Sequence, residues 1–220
     1  LPADWEISPY TDLKFSADGK KLYFHTAPKL QPEPKDSLLD EEKSKVDVWN
    51  YQDPFLQTQQ LHDLDKTKKK NYLAGYDLIS KNISQIEDSK FEEVRYPKNG
   101  NTDFYLGLDQ NPYKRASSWI QPEQYDIYSI NFNNGYKVLV SEGVQLGYSL
   151  SPTGKFITWF ENSDSSFYLY NNTTGNKYSI SKNIPFKVCD ELNDVPNIPN
   201  PYGIGGWTTN DEYVLVYDRY

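Results

Sequence analysis

Methionine is absent from this 220-residue chain, cysteine occurs once and histidine twice. The lack of Met, even at the start, leads us to expect a processed or excised form. The single thiol, Cys189, excludes an internal disulfide. His25 and His62 stand far apart with no Cys or carboxylate at ligand spacing, so neither a structural zinc site nor any other metal or cofactor is expected. No apolar run approaches the roughly 20 residues of a membrane span, and Leu1 begins the chain with neither a basic region nor an apolar stretch, so no signal peptide is read in it. Positive charge is short as well. With 23 Lys and Arg against 31 Asp and Glu, the formal net charge is −8. Nucleic acids and anionic membranes are poor partners for such a chain, because both are bound largely by neutralising phosphate.

Aromatic residues, by contrast, are abundant: 19 Tyr, 10 Phe and 5 Trp, with 14 Pro and 12 Gly. The aromatics favour strands, and Pro and Gly punctuate turns. This composition points to many short, half-buried strands in an all-β fold.

Two repeats narrow the class. Tyr125-Asp126-Ile127-Tyr128 leads through Asn134-Gly135 to Tyr136-Lys137-Val138, and Phe167-Tyr168-Leu169-Tyr170 leads through Thr174-Gly175 to Asn176-Lys177-Tyr178. The two glycines lie 40 residues apart, and each marks a hairpin turn that needs positive φ. Tyr76-Asp77-Leu78-Ile79 is a fainter copy. Between the hairpins runs a second motif, a short strand, a Ser/Asp/Gly turn and a longer apolar strand. Its copies are Ser16-Ala17-Asp18-Gly19-Lys20-Lys21, Ser151-Pro152-Thr153-Gly154-Lys155-Phe156 and a degenerate Thr208-Thr209-Asn210-Asp211-Glu212-Tyr213. A repeat of about 40–50 residues carrying about four strands is the signature of a propeller. We therefore expect a partial β-propeller of three to four antiparallel blades. The first begins near Leu13 and finishes near residue 86. The second runs from about Glu93 to Val140 and the third from about Val144 to Ile180. The last starts near Gly206 and stops within a strand at Tyr220. Open edges suggest a piece of a longer propeller.

A polar insertion, about 27–71, interrupts the first blade. Its Pro/Gln-rich start reads as loop, 36–45 as one or two helical turns, and the lysine run Lys66, Lys68, Lys69 and Lys70 as a solvated turn. Recognisable catalytic patterns are missing. Gly203-Ile204-Gly205-Gly206 lacks the spacing and the following helix of a dinucleotide loop, and no G-x-S-x-G elbow occurs. Both histidines read as structural, and Glu41-Glu42 and Glu92-Glu93 as exposed charges.

One segment is more specific. Asp47-Val48-Trp49-Asn50-Tyr51-Gln52-Asp53-Pro54-Phe55-Leu56-Gln57-Thr58-Gln59-Gln60, after a Pro- and charge-rich loop, resembles a stretch of large secreted peptidases of the prolyl oligopeptidase family from Bacteroides-type bacteria, relatives of dipeptidyl peptidase IV and acylaminoacyl peptidases. The Ser16–Phe24 and Ser151–Lys155 turns look like that family's blade turns, and Asp218-Arg219-Tyr220 like the start of another. The resemblance covers the whole chain, as propeller only. It implies a propeller that filters peptides for a separate α/β-hydrolase domain carrying the Ser-Asp-His triad, in a periplasmic or secreted enzyme. No triad member maps onto this chain, so no catalytic residue is carried over. The paired-Glu motif of the dipeptidyl peptidases fits neither Glu41-Glu42 nor Glu92-Glu93. The implied partners are peptide substrates, the hydrolase domain and the remaining blades. Trp49, Tyr51 and Asp53 are candidate substrate contacts; the competing reading, which we favour, packs Trp49 in a blade and makes Asp53-Pro54 a turn. A glycan- or protein-binding propeller without a peptidase is the alternative, since Tyr, Trp and Asn suit stacking on sugars.

Overall fold

The computed structural model describes residues 1–29, 39, 46 and 48–220. Among the described residues, fifteen strands form four antiparallel sheets in chain order. The first contains β1 (Trp5–Ile7), β2 (Lys14–Phe15), β3 (Lys21–Pro28), β4 (Tyr72–Asp77) and β5 (Ile83–Gln85), with β1 and β2 both pairing β3. The second is β6 (Glu93–Arg95), β7 (Phe104–Asp109), β8 (Tyr125–Asn131) and β9 (Lys137–Val144). The third is β10 (Leu146–Leu150), β11 (Phe156–Glu161), β12 (Ser166–Asn171) and β13 (Lys177–Ser179). The fourth holds β14 (Ile204–Trp207) and β15 (Val214–Val216). In the second, third and fourth sheets, neighbours in sequence are neighbours in space.

The core lies between the sheets. Tyr23, Leu73 and Ile86 of the first region pack with Phe91, Tyr105, Ile130 and Phe132 of the second. Leu106, Leu108, Ile127, Val140 and Val144 meet Ile157, Trp159 and Tyr170 of the third sheet. Phe160 and Phe167 meet Val188 and Cys189, with Ile204 and Val216 of the fourth sheet against them. Each fully buried large side chain contributes roughly 1.5–3 kcal/mol, so these three seams are where the chain gains most of its stability. Successive four-stranded sheets stacked face to face through such seams are the blades of a propeller, here a partial one. Its boundaries follow the repeats, with two corrections. The first blade starts at Trp5 rather than Leu13, because β1 pairs the end of β3 while β2 pairs its start. The chain does not stop within a strand: β15 ends at Val216, and 217–220 lie outside the sheets.

The turn repeat has one physical cause. In all three copies the first residue's hydroxyl accepts the amide of the residue five positions on: Ser16 from Lys21 at 2.9 Å, Ser151 from Phe156 at 2.9 Å and Thr208 from Tyr213 at 2.8 Å. The fourth position donates its N–H to the first residue's carbonyl and has positive φ, at Gly19 (69°), Gly154 (78°) and Asp211 (58°). The hairpin repeat is equally regular. Gly135 and Gly175 donate to the carbonyls of Asn131 and Asn171, whose side chains cap the turn amides of Asn133 and of Thr173 and Thr174. In the first blade Asp77 plays the Asn role and Lys81, at φ 59°, stands where glycine stands elsewhere.

Antiparallel connectivity sorts these loops onto two ends. The turns 16–20, 96–103 and 151–155, together with 78–82, 132–136 and 172–176, share one end, the turn face. The insertion after β3, the loop 110–124 after β7 and the segments joining one blade to the next share the other, the insertion face.

Candidate functional site

On the insertion face, two short helices, α1 (Gln57–His62) and α2 (Leu64–Lys68), lead from the aromatic segment back to β4. Of the lysine run, Lys66 and Lys68 are therefore helical, while Lys69 turns out of the helix and Lys70 follows it. Asp65 in the first turn of α2 and Lys66 and Lys68 in its last suit the peptide dipoles. Neither helix buries a residue, and residues of both line a cleft.

That cleft has a volume of about 1200 Å³. The insertion side supplies Asp53, Pro54, Phe55, Asp63 and the lysines Lys66, Lys69 and Lys70; Tyr10 comes from the first blade, and Glu92, Gln110 and Lys114 from the second. Glu92 anchors one wall, with Lys114 Nζ at 3.0 Å and Lys70 Nζ at 3.9 Å. Burial opposes ionisation of Glu92, but the hydrogen bond from Lys114 and the charges of Lys70, Lys114 and Lys66 outweigh it and hold the carboxyl below its usual range. Nearby Glu87 moves the other way: burial pushes its pKa up despite the N–H of Leu73 that it accepts at 2.9 Å. Apolar Phe55, Pro54 and Leu64 beside these charges give a surface able to hold a chain with both polar and apolar groups.

The three candidate residues separate here. Asp53 lines the cleft, and its N–H donates to Asn50 O at 3.1 Å, so it is also the turn former expected. Tyr51 is 78% exposed, with the Arg115 guanidinium 5.9 Å from its ring centre. Trp49 is 61% exposed, which corrects the packing expectation. Glu92 is a cleft wall rather than a bare exposed charge. Lys114 and Gln110 carried no sequence signal, since they are distant in the chain and ordinary in context. The expectations for Glu41-Glu42 and, apart from Leu39, for helical turns at 36–45 lie outside the described residues.

His25 sits on β3 with its Nδ1 buried and unpartnered, and burial lowers its pKa, which fits a packed strand residue. The Gly203–Gly206 stretch enters β14 as a strand. No group of three or more His, Cys, Asp or Glu able to hold a metal ion occurs among the described residues, and no helix among them is long and apolar enough to cross a membrane.

A smaller depression of about 440 Å³ opens on the turn face, lined by residues such as Asp18, Lys20, Lys21, Asn101, Asp103 and Lys155. Several of its polar groups are engaged by the fold. Lys21 bonds Thr102 O and Asp103, and Asp18 accepts from Ser16 Oγ and from the Lys20 N–H while its own N–H donates to Asn101. We therefore take the larger cleft as the candidate site.

No family model matches the chain, and no curated protein matches it. Among solved structures it is similar to TolB from Acinetobacter baumannii, at 14% identity and a TM-score of 0.31 over 76% of this chain and 31% of that one. It is also similar to putative 6-phosphogluconolactonases from Bacteroides uniformis (14% identity, TM-score 0.29, 90% of this chain and 43% of that one) and Bacteroides fragilis (12%, 0.25, 80% and 57%). The chain spans between about a third and somewhat over half of the length of these proteins.

Proposed function

We propose that this chain is a non-catalytic propeller segment that binds and admits peptides for a separate serine-peptidase domain of the α/β-hydrolase kind, in a periplasmic or secreted enzyme. The observation that supports the reading is the cleft. Asp53, from the segment that resembles the prolyl oligopeptidase family, lies in one wall of a 1200 Å³ groove whose other wall is the second blade. An extended peptide offers backbone amides and carbonyls, charged ends and apolar side chains, and the groove offers partners for each. The propeller's part is to hold and orient such a chain; bond cleavage belongs to the hydrolase.

Isothermal titration of short peptides into the chain, alongside a fluorogenic peptide-hydrolysis assay, tests this. Binding without hydrolysis is the expected result. Hydrolysis by the chain itself would overturn the non-catalytic assignment, and absence of binding by every peptide would overturn the peptide assignment. A second reading, glycan binding, draws on the exposure of Trp49, Tyr51 and Trp119, flat rings suited to sugar faces. Oligosaccharide binding with no peptide binding would favour it.

A further inference from the structure

We infer that the cleft selects peptides carrying a carboxylate, held by Lys66 and Lys69; the inference rests on the peptide-binding reading above. The chain as a whole is strongly acidic at −8, yet the cleft lining reverses the sign, with Lys66, Lys69, Lys70 and Lys114 against Asp53, Asp63 and Glu92. Two of the lysines are engaged, since Lys114 and Lys70 both face Glu92. Lys66 and Lys69 form no ion pair within 4.0 Å with a carboxylate among the described residues, and both are exposed on the helical wall. Arg115 adds a further cation near Tyr51. Concentrating ammonium groups that outnumber the carboxylates beside them in a concave site of an acidic protein attracts an anionic group and repels a cationic one. A carboxylate is the anion a peptide brings, from a Glu or Asp side chain or from its own end, and it takes charge-assisted hydrogen bonds from Lys.

Glu92 makes the idea testable by gain as well as loss. It competes with a ligand carboxylate for Lys114 and Lys70, so Glu92→Gln releases both.

The experiment is fluorescence anisotropy on the full chain with three labelled, amidated hexapeptides that differ only in two central residues: Glu, Gln or Lys. We expect the Glu peptide to bind roughly tenfold tighter than the Gln peptide, about 1.4 kcal/mol, and the Lys peptide to bind weakest. Raising salt from about 0.05 to 0.5 M shortens the screening length and should erase the preference. The double variant Lys66→Gln/Lys69→Gln should lose it while keeping its urea midpoint, and Glu92→Gln should enlarge it. Equal binding of Glu and Gln peptides would overturn the inference and leave peptide binding standing. Tightest binding of the Lys peptide would also overturn it, assigning recognition to Asp53 and Asp63. No binding by any of the three would overturn the inference and the peptide reading together.

Discussion

The two ends of this propeller carry depressions of opposite character. On the turn face, Ser16, Ser151 and Thr208 close the same turn three times, and side chains bridge from one blade to the next. Asp211 Oδ2 accepts both the N–H and the hydroxyl of Thr153, Asp18 is held to Asn101, and Lys21 spans to Thr102 and Asp103. Charge there is spent on joining blades. On the insertion face the walls come from segments distant in sequence, and lysines are left over. A depression whose polar groups satisfy one another is architecture; one with surplus charge of a single sign has something to offer a ligand. Stability and binding should therefore separate by face.

The largest effect that would break the comparison is at Gly154. Its φ is 78°, and an added Cβ would lie 1.8 Å from Thr102 Oγ1 of the second blade. Gly154→Ala should cost about 3 kcal/mol, combining left-handed strain with overpacking, measured as a fall in urea midpoint. Gly19→Ala is the matched control. The φ is 69° but nothing lies within 4 Å, so only the conformational penalty of about 1 kcal/mol applies. Equal losses at the two positions would contradict the packing role of Gly154.

Next comes Asp211→Gly. It relieves a non-glycine residue at φ 58° but removes the bridge to Thr153 from a side chain only 3% exposed. The net loss should be about 2 kcal/mol, because bonds to a buried carboxylate outweigh the backbone relief. Peptide binding on the other face should not change.

The insertion face makes the smaller contributions. The Glu92 pKa is lowered in the folded chain, so its share of stability is present above the ordinary carboxyl value of 4.5 and is lost as pH falls through the lower folded value. For a partly exposed pair this share is below about 1 kcal/mol. Urea midpoints of the parent and Glu92→Gln should differ at pH 7 and converge as the pH falls toward 3. A constant difference would mean that the ion pairs are not its source. Smallest, and back on the turn face, is Lys81→Gly, which should stabilise by up to about 0.5 kcal/mol: the first-blade hairpin gains the residue its φ of 59° favours, less the entropy glycine adds to the unfolded chain.

What the sequence discloses follows the same division. Turn chemistry is local, so Gly19, Gly154, Gly135 and Gly175 announce the blades from spacing alone. A fourth copy of the turn closed at Ser16, Ser151 and Thr208 goes unseen because Pro97 stands where the others have a hydroxyl, although the Gly100 N–H still meets the Pro97 carbonyl at 2.8 Å. The helices at 57–68 are missed because they bury no residue and so leave no apolar stripe. Trp49 misleads for the reverse reason: a large aromatic in a strand-rich chain reads as core, and only the structure shows that its ring is exposed. The cleft is half legible. Asp53 and the lysine run can be read from the chain, whereas Glu92, Gln110 and Lys114 join them only once the first blade stacks on the second.

The most direct measurement sets two lysines on one face against two on the other. Lys66→Gln/Lys69→Gln and Lys20→Gln/Lys155→Gln remove the same formal charge, the first pair from the cleft and the second from the turn-face depression. Titrating both variants with the Glu-containing hexapeptide should show roughly tenfold weaker binding for the first and parent-like binding for the second. Equal losses would show that only overall charge matters, and a loss confined to the second pair would place the ligand on the turn face; either result contradicts the division of labour between the two faces.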